Sequence, residues 1–189
     1  MQLSLAVLVA CQAAVIAASS LTPPVLPLIV RNPYLSTWFG DAREAPWKKW
    51  PMFYTGEEVG LSLLAQVPSQ GAVYPLLGKP HESLSSKERY ELWMGFILHK
   101  DLTHHSYKIK YPEYLGHNYD ASTTNLTYRI DTGSADPLNI TVSFLSPITP
   151  SSTLRQSIPA SYVTIDVQGD VEVNIYMDVD GRWVSGDTH

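Results

Sequence analysis

The sequence predicts an all-β fold, an antiparallel β-sandwich left incomplete, and three observations carry that prediction. Apolar and polar residues alternate in run after run, the period of strands with one buried face. Glycine–aspartate pairs stand where tight turns would join neighbouring runs. Helical spacing is confined to one stretch, Ser85–Lys100. At 189 residues the chain has the length of one domain, and a chain of that size buries about 70% of its unfolded surface without metal or disulfide support. No internal period indicates a repeat protein, and no segment is of low complexity.

The first residues, MQLSLAVLVACQAAVIAASS, carry no acidic or basic side chain and run apolar from Leu3 to Ala18. They read as a secretory leader, 1–19, cut near Ser19 or Ser20 to leave a domain of 20–189. A membrane anchor is the competing reading, but the run is short for a span and Pro23, Pro24 and Pro27 stop it, so no membrane is expected for the mature form. Leu8-Val9-Ala10-Cys11 also matches a lipoprotein cleavage box, although the apolar run continues past it. Cys11 is the only cysteine. Its loss with the leader leaves no thiol for a disulfide, a nucleophile or a cysteine zinc site. The net charge of -5, with Lys and Arg scattered, gives no footprint for nucleic acid.

Leu21 to Val30 is extended and apolar, suited to an edge segment laid on the body of the domain. Glu58 to Val67 places Val59, Leu61, Leu63, Ala65 and Val67 on one side, as a strand with one buried face does, although Leu63-Leu64 also permits a helix. Ala72 to Leu77 is a short apolar run ended by Gly78 and Pro80. In Ser85 to Lys100, Ser85 and Glu88 have capping-box spacing, and Leu92, Trp93, Phe96 and Ile97 recur at helical intervals. Strand periodicity resumes at Tyr107 and is expected to the end of the chain. Its faces are Leu126, Tyr128 and Ile130; Leu138, Ile140, Val142 and Phe144; Val163, Ile165 and Val167; and Val171, Val173, Ile175, Met177 and Val179. Gly169-Asp170 and Asp180-Gly181 are placed to close hairpins. The return strand after the second would be only Arg182-Trp183-Val184, leaving an open sheet edge.

The segment Asn32–Thr55 concentrates three of the five tryptophans. Trp38, Trp47 and Trp50 each present a large apolar surface with one N–H that needs a partner, which suits a half-wet seam or a ligand-facing wall. Pro33, Pro46 and Pro51 are expected to hold the segment as an ordered, irregular loop. Arg31, Asp41, Arg43 and Glu57 put both charge signs among the rings, so that an interdomain seam, a ligand site and a pinned surface loop all fit. Two sequons, Asn125-Leu126-Thr127 and Asn139-Ile140-Thr141, mark glycosylation acceptors.

No catalytic constellation is recognisable. There is no G-x-S-x-G elbow and no S-x-x-K. Glu57-Glu58 are adjacent, and in a strand they point to opposite faces. Asp178-x-Asp180-Gly181 resembles the opening of a calcium loop whose later ligands are missing, and a hairpin turn explains it. His104-His105 lack ligand spacing. No metal and no cofactor are expected.

The blocks TPPVLPLIVRNPYLSTWFGDAREAPWKKWPMFYTGEEVG, VYPLLGKPHESL, YPEYLGHNYDASTTNLTY and FLSPITPSSTLRQSIPASYVT closely resemble the amino-terminal region of secreted fungal glutaminases of the glutaminase A type. The resemblance implies an amino-terminal β-sandwich ahead of a larger helical domain related to α/α-toroid glycosidases, and extracellular hydrolysis of L-glutamine to glutamate and ammonia without nucleotide or redox cofactor. It also implies that the partner of this sandwich is that carboxy-terminal catalytic domain, which is missing here. Residues 86–106 depart from the family pattern. One reading of them is an intron translated in frame, the early end of the chain arising likewise. The expectation is a non-catalytic domain that packs on the toroid; the alternative is a secreted carbohydrate-binding module that offers Trp38, Trp47 and Trp50 to a glycan.

Overall fold

The computed structural model describes residues 22–32, 34–83, 107–134, 136–181 and 183. The leader 1–19, the helix expected over 85–100, the departing span 86–106 with His104-His105, and the residues after Trp183 lie outside the described residues. What is described is an all-β sandwich with unclosed sheets.

One sheet has the order β10-β9-β8-β7, built from Tyr162–Gln168, Leu138–Leu145, Thr123–Ile130 and Glu113–Tyr119. The second has the order β11-β4-β5-β6, built from Asn174–Val179, Leu61–Val67, Ala72–Leu77 and Lys108–Ile109. Pairing is antiparallel except between β5 and β6. A small third sheet, β1 (Leu26–Ile29), β2 (Thr37–Phe39) and β3 (Met52–Phe53), lies against β8 and β9 through β1.

The core forms where the inner faces meet. Leu126, Tyr128 and Ile130 of β8 and Leu138, Ile140, Val142 and Phe144 of β9 share one cluster with Leu61, Leu63 and Ala65 of β4 and with Ala72, Tyr74 and Leu76 of β5. Leu26, Leu28 and Phe39 of the small sheet complete it. The alternation expected of β8 and β9 is therefore realised residue by residue. The Tyr128 hydroxyl donates to the Leu76 carbonyl at 2.7 Å, a buried bond that ties one layer to the other.

Several expectations are corrected. Gly169-Asp170 closes no hairpin: β10 pairs with β9 while β11 pairs with β4, so the turn carries the chain from one sheet to the other. Gly169, at φ 153°, passes so close to Leu138 that a Cβ there would stand 3.0 Å from its Cδ1. β4 is buried at all seven positions and not on one face alone; Tyr107, Ile109 and Tyr176 pack on its outer Leu64 and on Val73 of β5. The last described strand begins only at Asn174, and its Met177 and Val179 are exposed, whereas Ile175 on the same face packs against the core. Of the expected return strand only Trp183 lies among the described residues, and it is helical and not extended; its backbone N–H donates to the Asp180 carbonyl at 3.4 Å, and its ring meets Phe53 edge-on at 5.7 Å. Strand structure is also interrupted by a helical turn, Thr153–Gln156, capped by the Ser152 side chain. Finally, Asn32–Thr55 is no irregular loop throughout: it contributes β2 and β3, because between its prolines Thr37-Trp38-Phe39 is a β-branched and aromatic run that pairs.

Candidate functional site

The tryptophan-rich segment is held by local hydrogen bonds that its sequence supplies. Asn32 Oδ1 accepts from the N–H groups of Tyr34 and Leu35 at 2.8 and 3.3 Å, a side-chain turn that opens the segment. Pro46 begins a single 3-10 turn, Pro46–Lys48, where its fixed φ suits the first position and its missing donor is no loss. The Pro46 carbonyl then accepts from Gly78 N–H at 3.1 Å, which ties the turn to the end of β5.

The seven candidate residues take different places. Trp38 lies half-buried on β2, its Nε1 donating to Ser36 Oγ at 3.4 Å. Trp47 is half-buried among tyrosines, 6.1 Å from Tyr111, 6.3 Å from Tyr114 and 6.1 Å from Tyr128 between ring centroids. Trp50 lies against Gly78: a Cβ at that glycine, which holds φ 71°, would come within 2.9 Å of the indole and 2.8 Å of the Leu61 carbonyl. Arg31 reaches across to the helical turn, its Nη2 donating to the Arg155 carbonyl at 2.7 Å and its Nε to the Ile158 carbonyl at 3.2 Å. Asp41 pairs with Lys49 at 2.9 Å and accepts from Arg43 N–H at 3.1 Å, and these bonds, the Lys49 one foremost, hold its carboxyl below the usual range. Arg43 and Glu57 are exposed. The charged members are thus spread over separate contacts and do not converge on one point.

Sequence reasoning missed a second group. His81, in the short helical turn Pro80–Ser83, meets Tyr111 edge-on at 5.6 Å. Its Nδ1 is buried without a partner, and burial lowers its pKa. Tyr114 stacks at 5.5 Å on Tyr128, its direct cross-strand neighbour, and burial pushes its hydroxyl up to about 12. Trp47, Tyr111, Tyr114, Tyr128 and His81 so form one aromatic group at the flank of the sandwich. The signal available in the sequence was the Tyr-Pro-Glu-Tyr run at Tyr111–Tyr114 beside a buried strand tyrosine.

An amidohydrolase needs a nucleophile, a base and oxyanion donors within reach of one carbon. The residues brought together here are rings, one histidine whose pKa burial lowers, and two phenols, Tyr114 and Tyr128, whose pKa burial raises, a packing set. Among the described residues no three His, Cys, Asp or Glu side chains gather to hold a metal ion. Asn125 and Asn139 stand apart from these rings, on the outer face of β8 and β9. No described helix is long and apolar enough to cross a membrane.

Comparison with known proteins places this fold among relatives. A family described as a domain of unknown function (DUF5127) matches residues 125–189. The chain is 52% identical over 183 residues to a probable glutaminase of Arthroderma benhamiae, which covers 95% of this chain and 19% of that protein. It is 28% identical over 194 residues to glutaminase A of Aspergillus oryzae, covering 98% of this chain and 24% of that protein. No solved structure matches it. The resemblance drawn from the sequence therefore holds over nearly the whole chain, which is a homologue of fungal proteins named glutaminase and spans 19% to 24% of the length of these relatives.

Proposed function

We propose that the chain is part of a secreted glutaminase and serves as its non-catalytic amino-terminal sandwich, the hydrolysis of L-glutamine to glutamate and ammonia residing in a helical toroid domain packed against it. The observation that carries this reading is the dispersal of the candidate charges. Arg31 is spent on two backbone carbonyls and Asp41 on Lys49, so neither is placed with a second group to work on a substrate. The half-buried Trp38, Trp47 and Trp50 give the flank the mixed polar and apolar character of an interdomain seam. In the same reading residues 1–19 are a leader removed on export, and Asn125 and Asn139 carry glycans.

Ammonia release from glutamine by the purified secreted chain is the test. The expected result is no turnover above a blank; turnover that grows with protein concentration overturns the non-catalytic assignment. The rival carbohydrate-binding reading draws no support from Trp47, whose ring is packed among three tyrosines, or from Trp50, which lies on Gly78.

A further inference from the structure

The two sequons, distant by fourteen positions in the chain, are neighbours in the sheet. β8 and β9 pair so that Thr127 faces Thr141, Asn125 faces Ser143 and Asn139 faces Arg129. Leu126 and Ile140, the middle residues of the two sequons, point into the core and are wholly buried. Alternation therefore sends Asn125, Thr127, Asn139 and Thr141 to the same outer face, where all four are half-exposed. The acceptor amides stand diagonally on either side of the Thr127–Thr141 pair, four residues apart in register, roughly 14 Å along the strands.

The surroundings of Asn125 have room for a sugar. A depression of about 390 Å³ opens beside it, lined by Leu115, His117, Asn118, Thr127 and Thr141. It is left by an irregularity between Tyr114 and Gly116 of β7, and no atom stands within 4 Å of where a Cβ on Gly116 would point. Asn125 Nδ2 donates to Asn118 Oδ1 at 3.0 Å. A glycosylated amide keeps one N–H, which leaves one donor on Nδ2.

We propose that this outer face of the β10-β9-β8-β7 sheet is a glycan face. Asn125 and Asn139 each take an N-linked oligosaccharide, the first sugar on Asn125 sits in the depression, and a further domain of a longer polypeptide meets the chain elsewhere than on this face. The inference rests on the secretory reading above. The donor is a lipid-linked pyrophosphoryl oligosaccharide of the secretory compartment: the bond from the sugar C1 to the phosphate oxygen breaks, the C1–Nδ2 bond forms, the amide gives up one proton, and the lipid pyrophosphate leaves. Transfer to the unfolded chain requires only that the folded sheet tolerate the sugars, and outward-facing acceptors meet that condition.

The full 189-residue chain, expressed in a secretory eukaryotic host, is digested and treated with peptide N-glycosidase in heavy-oxygen water, which leaves a labelled Asp at each formerly occupied Asn. Medium and cell extract are both read, so a chain held back in the pathway still reports. Labels are expected at Asn125 and Asn139. Thr127→Ala should lose only the first and Thr141→Ala only the second, while Thr127→Ser keeps both. On the folded protein, release from Asn125 should be several-fold slower than from Asn139, and equal rates overturn the seat in the depression. An unlabelled Asn125 or Asn139 in a chain whose leader has been cleaved overturns the glycan face and leaves the secretory reading standing. An unglycosylated chain with its leader intact overturns both.

Discussion

β9 and β4 occupy equivalent places, each flanked by a strand on both sides, yet water meets only one of them. β9 alternates buried and half-exposed residues over its whole length, its outer face being Asn139, Thr141, Ser143 and Leu145. The outer residues of β4 are Ser62, Leu64 and Gln66, exposed by 2%, 2% and 4%. Two of these are polar, and one pays a visible cost: Gln66 accepts from Asn174 at 3.2 Å through Oε1, while its Nε2 is buried without a partner. The difference teaches that polar–apolar alternation reports what a face is made of, and that burial is decided by what lies on top of it. On the outer face of β4 and β5, Leu64 and Val73 have Tyr176 and Ile109 as cross-strand neighbours, and Tyr107 packs against them.

Paired truncations on the two outer faces test that contrast with the largest expected effect. Leu64→Ala removes a side chain enclosed on the outer side of β4 and should lower stability by about 2 to 5 kcal/mol, the range for emptying a packed leucine site. Ser143→Ala, on the outer side of β9, should stay within about 0.5 kcal/mol. Urea unfolding of both variants decides it: equal midpoints mean that the outer face of β4 is as open as that of β9.

A smaller effect is expected where the two sheets are tied. Tyr128→Phe keeps the ring between Trp47 and Tyr114 but removes the buried donor to the Leu76 carbonyl. Leaving that carbonyl unsatisfied should cost about 1 to 2 kcal/mol. Tyr114→Phe is the control, since that hydroxyl has only a 3.4 Å approach to His117 Nδ1. A Tyr128→Phe variant as stable as Tyr114→Phe in the same unfolding assay would mean the cross-layer bond contributes nothing net.

How much of this was legible in the sequence follows the same division. β8 and β9 were readable residue by residue because one face is apolar and the other wet, so period and layer agree. β4 was placed correctly, but its second buried face was not, because Ser62 and Gln66 have the chemistry of an exposed face. β7 gave no alternation to read: Glu113, Gly116, His117 and Asn118 interrupt it, and the strand owes its place to pairing with β8. The Gly169-Asp170 turn was misassigned because turn chemistry is local, whereas choosing between a hairpin and a crossing depends on which sheet has an open edge. Of the site, the half-buried state of the three tryptophans was legible. Their partners were not, since Tyr111, Tyr114, Tyr128 and His81 arrive from distant parts of the chain.

The two sheets also differ in their histidines, and acid separates them with the smallest expected effect. Among the described residues His81 follows β5 of one sheet and His117 lies on β7 of the other, and burial lowers the pKa of both. A folded value below the ordinary 6.5 or so means that the unfolded chain binds the proton first as pH falls. The associated stability is therefore fully present above about pH 6.5 and is lost as pH drops through the folded value. Asp41 and Asp120, also lowered, act only below the ordinary carboxylate range and leave this window alone. His81 should contribute more than His117: its Nδ1 is buried with no partner, while His117 Nδ1 has the Tyr114 hydroxyl at 3.4 Å. His81→Phe keeps a ring against Tyr111 and removes the titrating group, so the fall in thermal midpoint between pH 7 and pH 5 should flatten more in that variant than in His117→Phe. A wild-type midpoint that does not move over this interval would remove the histidine contribution from both sheets, and a larger flattening in His117→Phe would reverse their order.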